Sequence, residues 1–427
     1  MFTQYFKQAL WHLRENPVIS WISVLGTALS ICMIMVIVIT LRVRTADCEP
    51  EVNRSRSLYV PNMSYRAKGD TSGSSANSRM SVQTGRECFK ALTTAEAVTL
   101  VSQPGKVRAS LPAGAKMTID KVETDEAFWH IFRFRFLDGK PFTGADVQSG
   151  LPRAIIAASV ARRLFGRTDV TGQHLELNHV DFQVCGVVAD VSMLATDAYA
   201  QVWIPYTAGD AEASTWGYNL MGQMRAVILA RSADDFPAIR EECERLRQKY
   251  NDVQDGVEVF YRGQPDTQFT HLYRSWSQVP DVQRVLLRYL VVILILLIVP
   301  AINLSSMTLS RMRRRMAEIG VRKAFGATAN ELLRQVFVEN LMLTCLAGLL
   351  GLLLSYAATF VLNGFLFGNS INAYYSGETT LTAGALLSPW IFLVAFVFCL
   401  LMNLLSAGIP AWRASRMNIV EAINGKM

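Results

Sequence analysis

The residues of this 427-residue sequence that could do chemistry do not assemble into a reaction centre. Gly-Lys pairs end at Lys106, Lys140 and Lys426. A phosphate-cradling loop needs a second Gly six residues before the Lys, so that successive backbone N–H groups wrap the phosphates. Leu100, Phe134 and Val420 stand there instead, which excludes nucleotide binding by that route. No G-x-S-x-G elbow supplies a serine nucleophile. His12, His130, His174, His179 and His271 lack the paired spacing of a metal site and read as surface residues. No catalytic residue, metal or cofactor is expected. Of seven cysteines, Cys32, Cys345 and Cys399 lie in apolar stretches, where they act as small hydrophobes. Cys48, Cys88, Cys185 and Cys243 lie in a long mixed region. Cys48 and Cys88 flank a Ser/Gly-rich segment, and a disulfide is predicted between them.

One cluster has the makings of a docking surface. Arg311, Arg313, Arg314 and Arg315 lead into Glu318, Arg322 and Lys323, with Glu318 and Arg322 paired at i,i+4. Thr328-Ala-Asn-Glu331 follows with capping-box spacing. A helix from there places Leu332, Leu333, Val336 and Phe337 on one side and runs on through Glu339. A short amphipathic segment lying on a membrane surface, with both signs of charge exposed, suits contact with another protein. A basic run can also mark nucleic acid. Beside an apolar span it reads as topology, and no nucleic-acid partner is expected.

The elements that hold this cluster are apolar. The chain is 51% hydrophobic, and the excess sits in four stretches without charge: Val18–Leu41, Tyr289–Ser310, Leu341–Leu362 and Trp390–Ile409. About 20 such residues cross a bilayer core as a helix. The first stretch exceeds a signal-peptide core and no cleavage site follows it, so it reads as an uncleaved anchor. Between the first two spans, residues 42–288 balance 30 basic against 29 acidic residues. The 311–334 loop carries seven basic residues and the 363–389 loop none. The positive-inside rule then puts both termini and the 311–334 loop in the cytoplasm. Gly26-xxx-Ser30 and Ala347-xxx-Gly351 would allow close helix contact.

The organisation expected is an interfacial helix at 1–17, spans at 18–41, 285–310, 335–362 and 389–409, and an outer domain at 42–284. A cytoplasmic coupling region at 311–334, an outer loop at 363–388 and a cytoplasmic tail at 410–427 complete it. In the outer domain, Arg66–Gly85 reads as a mobile loop and Ala154–Ala158 as a strand. A helix capped at Ser159 should end at Gly166, and His174–Val188 should form a hairpin around Asn178-His179. Val202–Pro205, Ala226–Ala230 and Val257–Tyr261 read as strands, and a helix should run from about Pro237 to Lys249. The fold class is a membrane protein with four transmembrane α-helices and an α+β extracytoplasmic domain inserted between helices 1 and 2.

The run Glu318-Ile-Gly-Val-Arg-Lys-Ala-Phe-Gly-Ala327 resembles the hallmark of the MacB/FtsX family of ABC transporter permeases. The ending Pro410-Ala-Trp-Arg-Ala-Ser-Arg-Met-Asn-Ile-Val-Glu-Ala-Ile423 resembles the family's C-terminus, with Ile419 in place of the usual Pro. Phe132–Gly139, Ala161–Gly166 and Val184–Asp190 are similar to the MacB-type periplasmic core. The resemblance implies a bacterial inner-membrane subunit that pairs with a second permease chain, as homodimer or heterodimer, and with a separate ABC ATPase. It implies that Glu318, Ile319, Gly320, Arg322, Lys323, Gly326, Ala327 and Glu421 meet that ATPase. The outer domain would move as ATP is used, to export a substrate from the periplasm or envelope, with a periplasmic adaptor and membrane lipid as further partners. Force transmission to an envelope enzyme is the alternative within the family. A sensor or adhesion protein without an ATPase is the alternative outside it.

Overall fold

The computed structural model describes residues 17–296 apart from 71, 72, 113 and 277, then residue 298, residues 329–367, and seven positions between 390 and 401. The chain divides into two compact units, one built on Arg42–Val282 and the other on the apolar helices.

In the apolar unit, the first helix covers Pro17–Thr45 of the described residues. A second covers Ala329–Val361, 33 residues against 29. Val24–Thr45 and Leu341–Val361 are long and apolar enough to cross a membrane. Of the other two expected spans, residues 282–296 are helical and the described positions between 390 and 401 are helical. Val24 and Ala28 pack with Leu343 and Ala347, and a Cβ on Gly351 would meet the Ala28 carbonyl oxygen at 2.7 Å. Ala347-xxx-Gly351 is thus used inside the chain, against the first helix. Hydroxyls in these helices return to their own backbone, Thr40 Oγ1 to Val36 O at 2.7 Å and Thr359 Oγ1 to Ser355 O at 2.8 Å. That satisfies them where no water is available.

The Arg42–Val282 unit is an α+β domain around one fifteen-stranded sheet. Val202–Pro205 pairs with both Arg153–Ala157 and Lys116–Thr124, so six strands return on themselves. A branch then runs through Ala97–Ser102, Met224–Leu229, Ala76–Met80 and Met63–Ala67 to Val257–Phe260 at an edge. Strand Arg153–Ala157, helix Ala158–Phe165 and the parallel strand Val180–Val188 form a crossover unit. Trp203, fully buried, anchors the core with Trp129 and Phe134 around it.

Most local expectations hold. Asn178 and His179 have φ of 49° and 71°, the two-residue turn a tight hairpin needs. Gly166 ends its helix at φ 75°. Two readings are corrected. Ser159 does not cap the helix: Ala157 is the cap residue, and the oxygen comes from Asp190, which accepts from Ser159 N at 2.7 Å. The 66–85 segment is not one loop, because Ala76–Met80 pairs with Met63–Ala67 and helix Val82–Gly85 follows. Its polar side chains are half-buried on both faces of the strand, so no apolar alternation marks it in the sequence.

Candidate functional site

Where the first helix ends, the domain begins with a buried charge. The last turn of an α-helix leaves carbonyls without partners. Arg54, 2% exposed, supplies donors for them. Its Nη1 donates to Val43 O and Ala46 O, each at 3.0 Å, and its Nη2 to Leu194 O at 2.8 Å. Its Nε donates to Glu51 Oε2 at 2.6 Å. One guanidinium therefore ties the helix end, the turn after it and the 192–198 loop. Burial would lower the Arg54 pKa, but the Glu51 carboxylate outweighs it and holds the guanidinium firmly charged.

Glu51 uses its other oxygen on the same loop, accepting from Asp197 N at 2.8 Å and Ala198 N at 2.9 Å. Asp197, also buried, pairs with Arg225 at 2.9 Å and with His271 Nε2 at 3.3 Å. Burial would raise the Asp197 pKa, but Arg225 first and then His271 hold it well below the carboxylate range. The His271 ring stacks on Tyr59 with centroids 4.6 Å apart and planes 7° apart. Nearby, Gln268 Nε2 donates to Arg44 O at 2.9 Å, a further tie to the end of the first helix. Arg274 and Asp266, 1% and 2% exposed, form a second buried pair with Arg274 Nη2 to Asp266 Oδ1 at 2.8 Å. Eight residues beyond Arg274 the chain becomes helical at 282. Two buried arginine–carboxylate pairs thus lie within the Arg42–Val282 unit. Such groups are costly to desolvate and costly to separate, so they define one arrangement sharply.

Among the described residues no set of three metal-ligating side chains converges. The sequence reading missed the joint because its members lie far apart in the chain. Glu51 and Arg54, spaced i,i+3 just past an apolar run, were the only local signal. His271 was read as a surface histidine, whereas its side chain is 15% exposed and wedged between Tyr59 and Asp197.

The predicted Cys48–Cys88 bridge is not formed, and both thiols are free. Cys88 faces the core beside Tyr261 and Cys243, and burial pushes its pKa up to about 12. Cys48 lies at the joint, its backbone paired with Glu51. The predicted docking residues Glu318, Ile319, Gly320, Arg322, Lys323, Gly326, Ala327 and Glu421 lie outside the described residues, as does the interfacial segment 1–16.

An α+β domain together with helices long and apolar enough to cross a bilayer defines a membrane protein with a structured outer domain. Residues 20–246 match the model of the MacB-like periplasmic core domain, and residues 290–419 match that of the FtsX-like permease C-terminal domain. This chain belongs to the MacB/FtsX family of ABC transporter permeases. It is 28% identical over 234 residues to the pyoverdine export ATP-binding/permease protein PvdT of Pseudomonas savastanoi pv. phaseolicola, covering 54% of this chain and 34% of that protein. It is 25% identical over 300 residues to the macrolide export ATP-binding/permease protein MacB of Escherichia coli K12, covering 69% and 42%. It is 21% identical over 325 residues to the ABC transporter permease YknZ of Bacillus subtilis, covering 74% and 75%. The chain thus spans less than half the length of the two export proteins. The periplasmic region of MacB from Actinobacillus actinomycetemcomitans aligns with a TM-score of 0.36 at 14% identity, over 51% of this chain and 95% of that one.

Proposed function

We propose that this chain is the permease subunit of an ABC transporter that converts ATP use by a separate ATPase chain into movement of its outer domain. Family membership supports the class. The observation that carries the mechanical reading is the Arg54 joint, which fastens the last turn of the first helix to the domain by charge-assisted hydrogen bonds. A displacement of that helix end would be passed on rather than absorbed by a slack linker. In this reading the chain works in a bacterial inner membrane with both termini in the cytoplasm. A second permease chain completes the pair, lipid surrounds it, and an adaptor engages it from outside. The cargo class is a substrate leaving the periplasm or envelope.

Glu318 and Arg322 would face the ATPase, with Ile319, Gly320, Lys323, Gly326 and Ala327 shaping the contact and Glu421 supporting it from the tail. Affinity purification in mild detergent should retain an ATPase chain. Replacing Glu318 and Arg322 together by Ala should release that ATPase while the permease still inserts. Equal ATPase retention by the double variant would overturn the assignment.

A further inference from the structure

At the edge of the sheet, the antiparallel strands Met63–Ala67 and Val257–Phe260 place Arg66 opposite Glu258 and Ser64 opposite Phe260. Directly opposed residues share a face, so these four project together. A cleft of about 380 Å³ lies there, completed by Arg262 and by Glu244 and Arg247 of helix Phe236–Val253. Two guanidiniums flank the Phe260 ring, Arg262 at 4.9 Å and Arg66 at 5.4 Å from its centroid. Stacking uses the flat faces of a guanidinium and leaves its in-plane N–H donors for hydrogen bonds.

The charges are not evenly matched. Arg66 pairs with Glu258, and Arg247 pairs with Glu244 at 2.8 Å. Arg262 donates only to neutral hydroxyls, Nε to Ser64 Oγ at 2.8 Å and Nη2 to Ser75 Oγ at 2.7 Å. Among the described residues no carboxylate forms an ion pair with Arg262, so three arginines face two glutamates and one positive charge is unmatched. The backbone is also set for this residue. Arg262 and Gly263 have φ of 48° and 77° in the turn closed by Gln264 N to Tyr261 O. The first of those turn positions favours Asn, Asp or Gly, and an arginine there is strained. Strain of that kind collects where a side chain must be aimed.

We propose that this cleft binds a small polyanion through its carboxylate or phosphate oxygens, with Arg262 as the anchoring donor and Arg66 beside it. The volume is at the small-ligand end of binding clefts. A planar fork of donors matches either oxyanion in bidentate fashion. Glu244 and Glu258 limit the charge the cleft accepts and leave room for a modest preference rather than a general anion trap.

The test is isothermal titration of the full chain, in nanodiscs of zwitterionic lipid, with citrate and separately with pyrophosphate. Saturable binding of at least one probe at one site per chain is expected, and the better probe identifies the preferred oxyanion. Arg262→Gln should weaken that binding at least tenfold with the melting temperature retained. Glu258→Gln, which removes a competing carboxylate, should tighten it several-fold and does not depend on the first variant folding. Absence of saturable binding of both probes at millimolar concentration overturns the proposal, as does Arg262→Gln binding like the parent. Unchanged or weaker binding by Glu258→Gln overturns it too.

Discussion

At the scale of single residues, this chain concentrates its cost in a few buried charges. Arg54 is the extreme case, because its guanidinium serves three carbonyls and one carboxylate with almost no water in reach. Arg54→Ala should destabilise the outer domain by about 3–5 kcal/mol, since it strands Glu51 without its partner. A thermal melt of the full chain in detergent reads this directly. A melt shifted no further than for a surface Arg→Ala control would show that the pair is dispensable. Glu242 makes a different prediction. Its carboxylate accepts from the backbone N–H and hydroxyl of both Thr93 and Thr94. Burial opposes ionisation, but these bonds hold its pKa at about 2, below the ordinary 4.5. The stabilisation is fully present above about pH 4.5 and is lost as pH falls through about 2, to the extent of about 2–3 kcal/mol. Glu242→Gln should flatten that acid limb of the stability profile. An unaltered limb would assign the acid sensitivity to other groups. Neither residue was legible beforehand. Glu242 and Thr93 lie 149 positions apart, and burial of a charge is decided by what folds over it.

At the scale of elements, much more could be read. The first apolar helix, the Asn178-His179 turn, the Gly166 stop and the helix behind Pro237 follow from local rules of backbone and periodicity. The Ala76–Met80 strand did not, because its pairing with Met63–Ala67 and its half-buried polar side chains carry no local signature. Two elements invite tests. The first helix and Ala329–Val361 approach closely at Ala28 and Gly351, where even a methyl group would collide with backbone. Gly351→Leu should force them apart at a cost of about 1–3 kcal/mol. The readout is lower thermal stability in detergent, and a parent-like melt would contradict the packing. The edge strand Val257–Phe260 is guarded rather than open. Asn251 Nδ2 donates to Val259 O at 2.9 Å and Asn251 Oδ1 accepts from Val259 N at 2.8 Å, so one side chain stands in for a neighbouring strand. Asn251→Ala should expose that edge and raise self-association of the outer domain, measured by light scattering. Scattering equal to the parent's would mean the edge is protected by other means.

At the scale of the whole molecule, class and family follow from a pattern spread along the chain, four uncharged stretches around one mixed domain, with motifs at matching places in between. The joint on which the proposed mechanical reading rests was invisible until folding gathered Glu51, Arg54, Asp197, Arg225 and His271. The proposed division of labour leaves nucleotide chemistry to a partner. The purified chain should therefore show no specific binding of a fluorescent ATP analogue, and saturable binding would refute that division. Cys48, half-buried and paired with the backbone of Glu51, has its thiol pKa raised by burial. Cys88 and Cys243 are fully buried, and burial pushes the pKa values of Cys88, Cys185 and Cys243 up to about 12. Cys48 is thereby a slow chemical clock beside the Arg54 joint. The alkylation half-life of Cys48 would tick faster whenever the clasp around Arg54 loosens, and it would do so in native membranes without any introduced label.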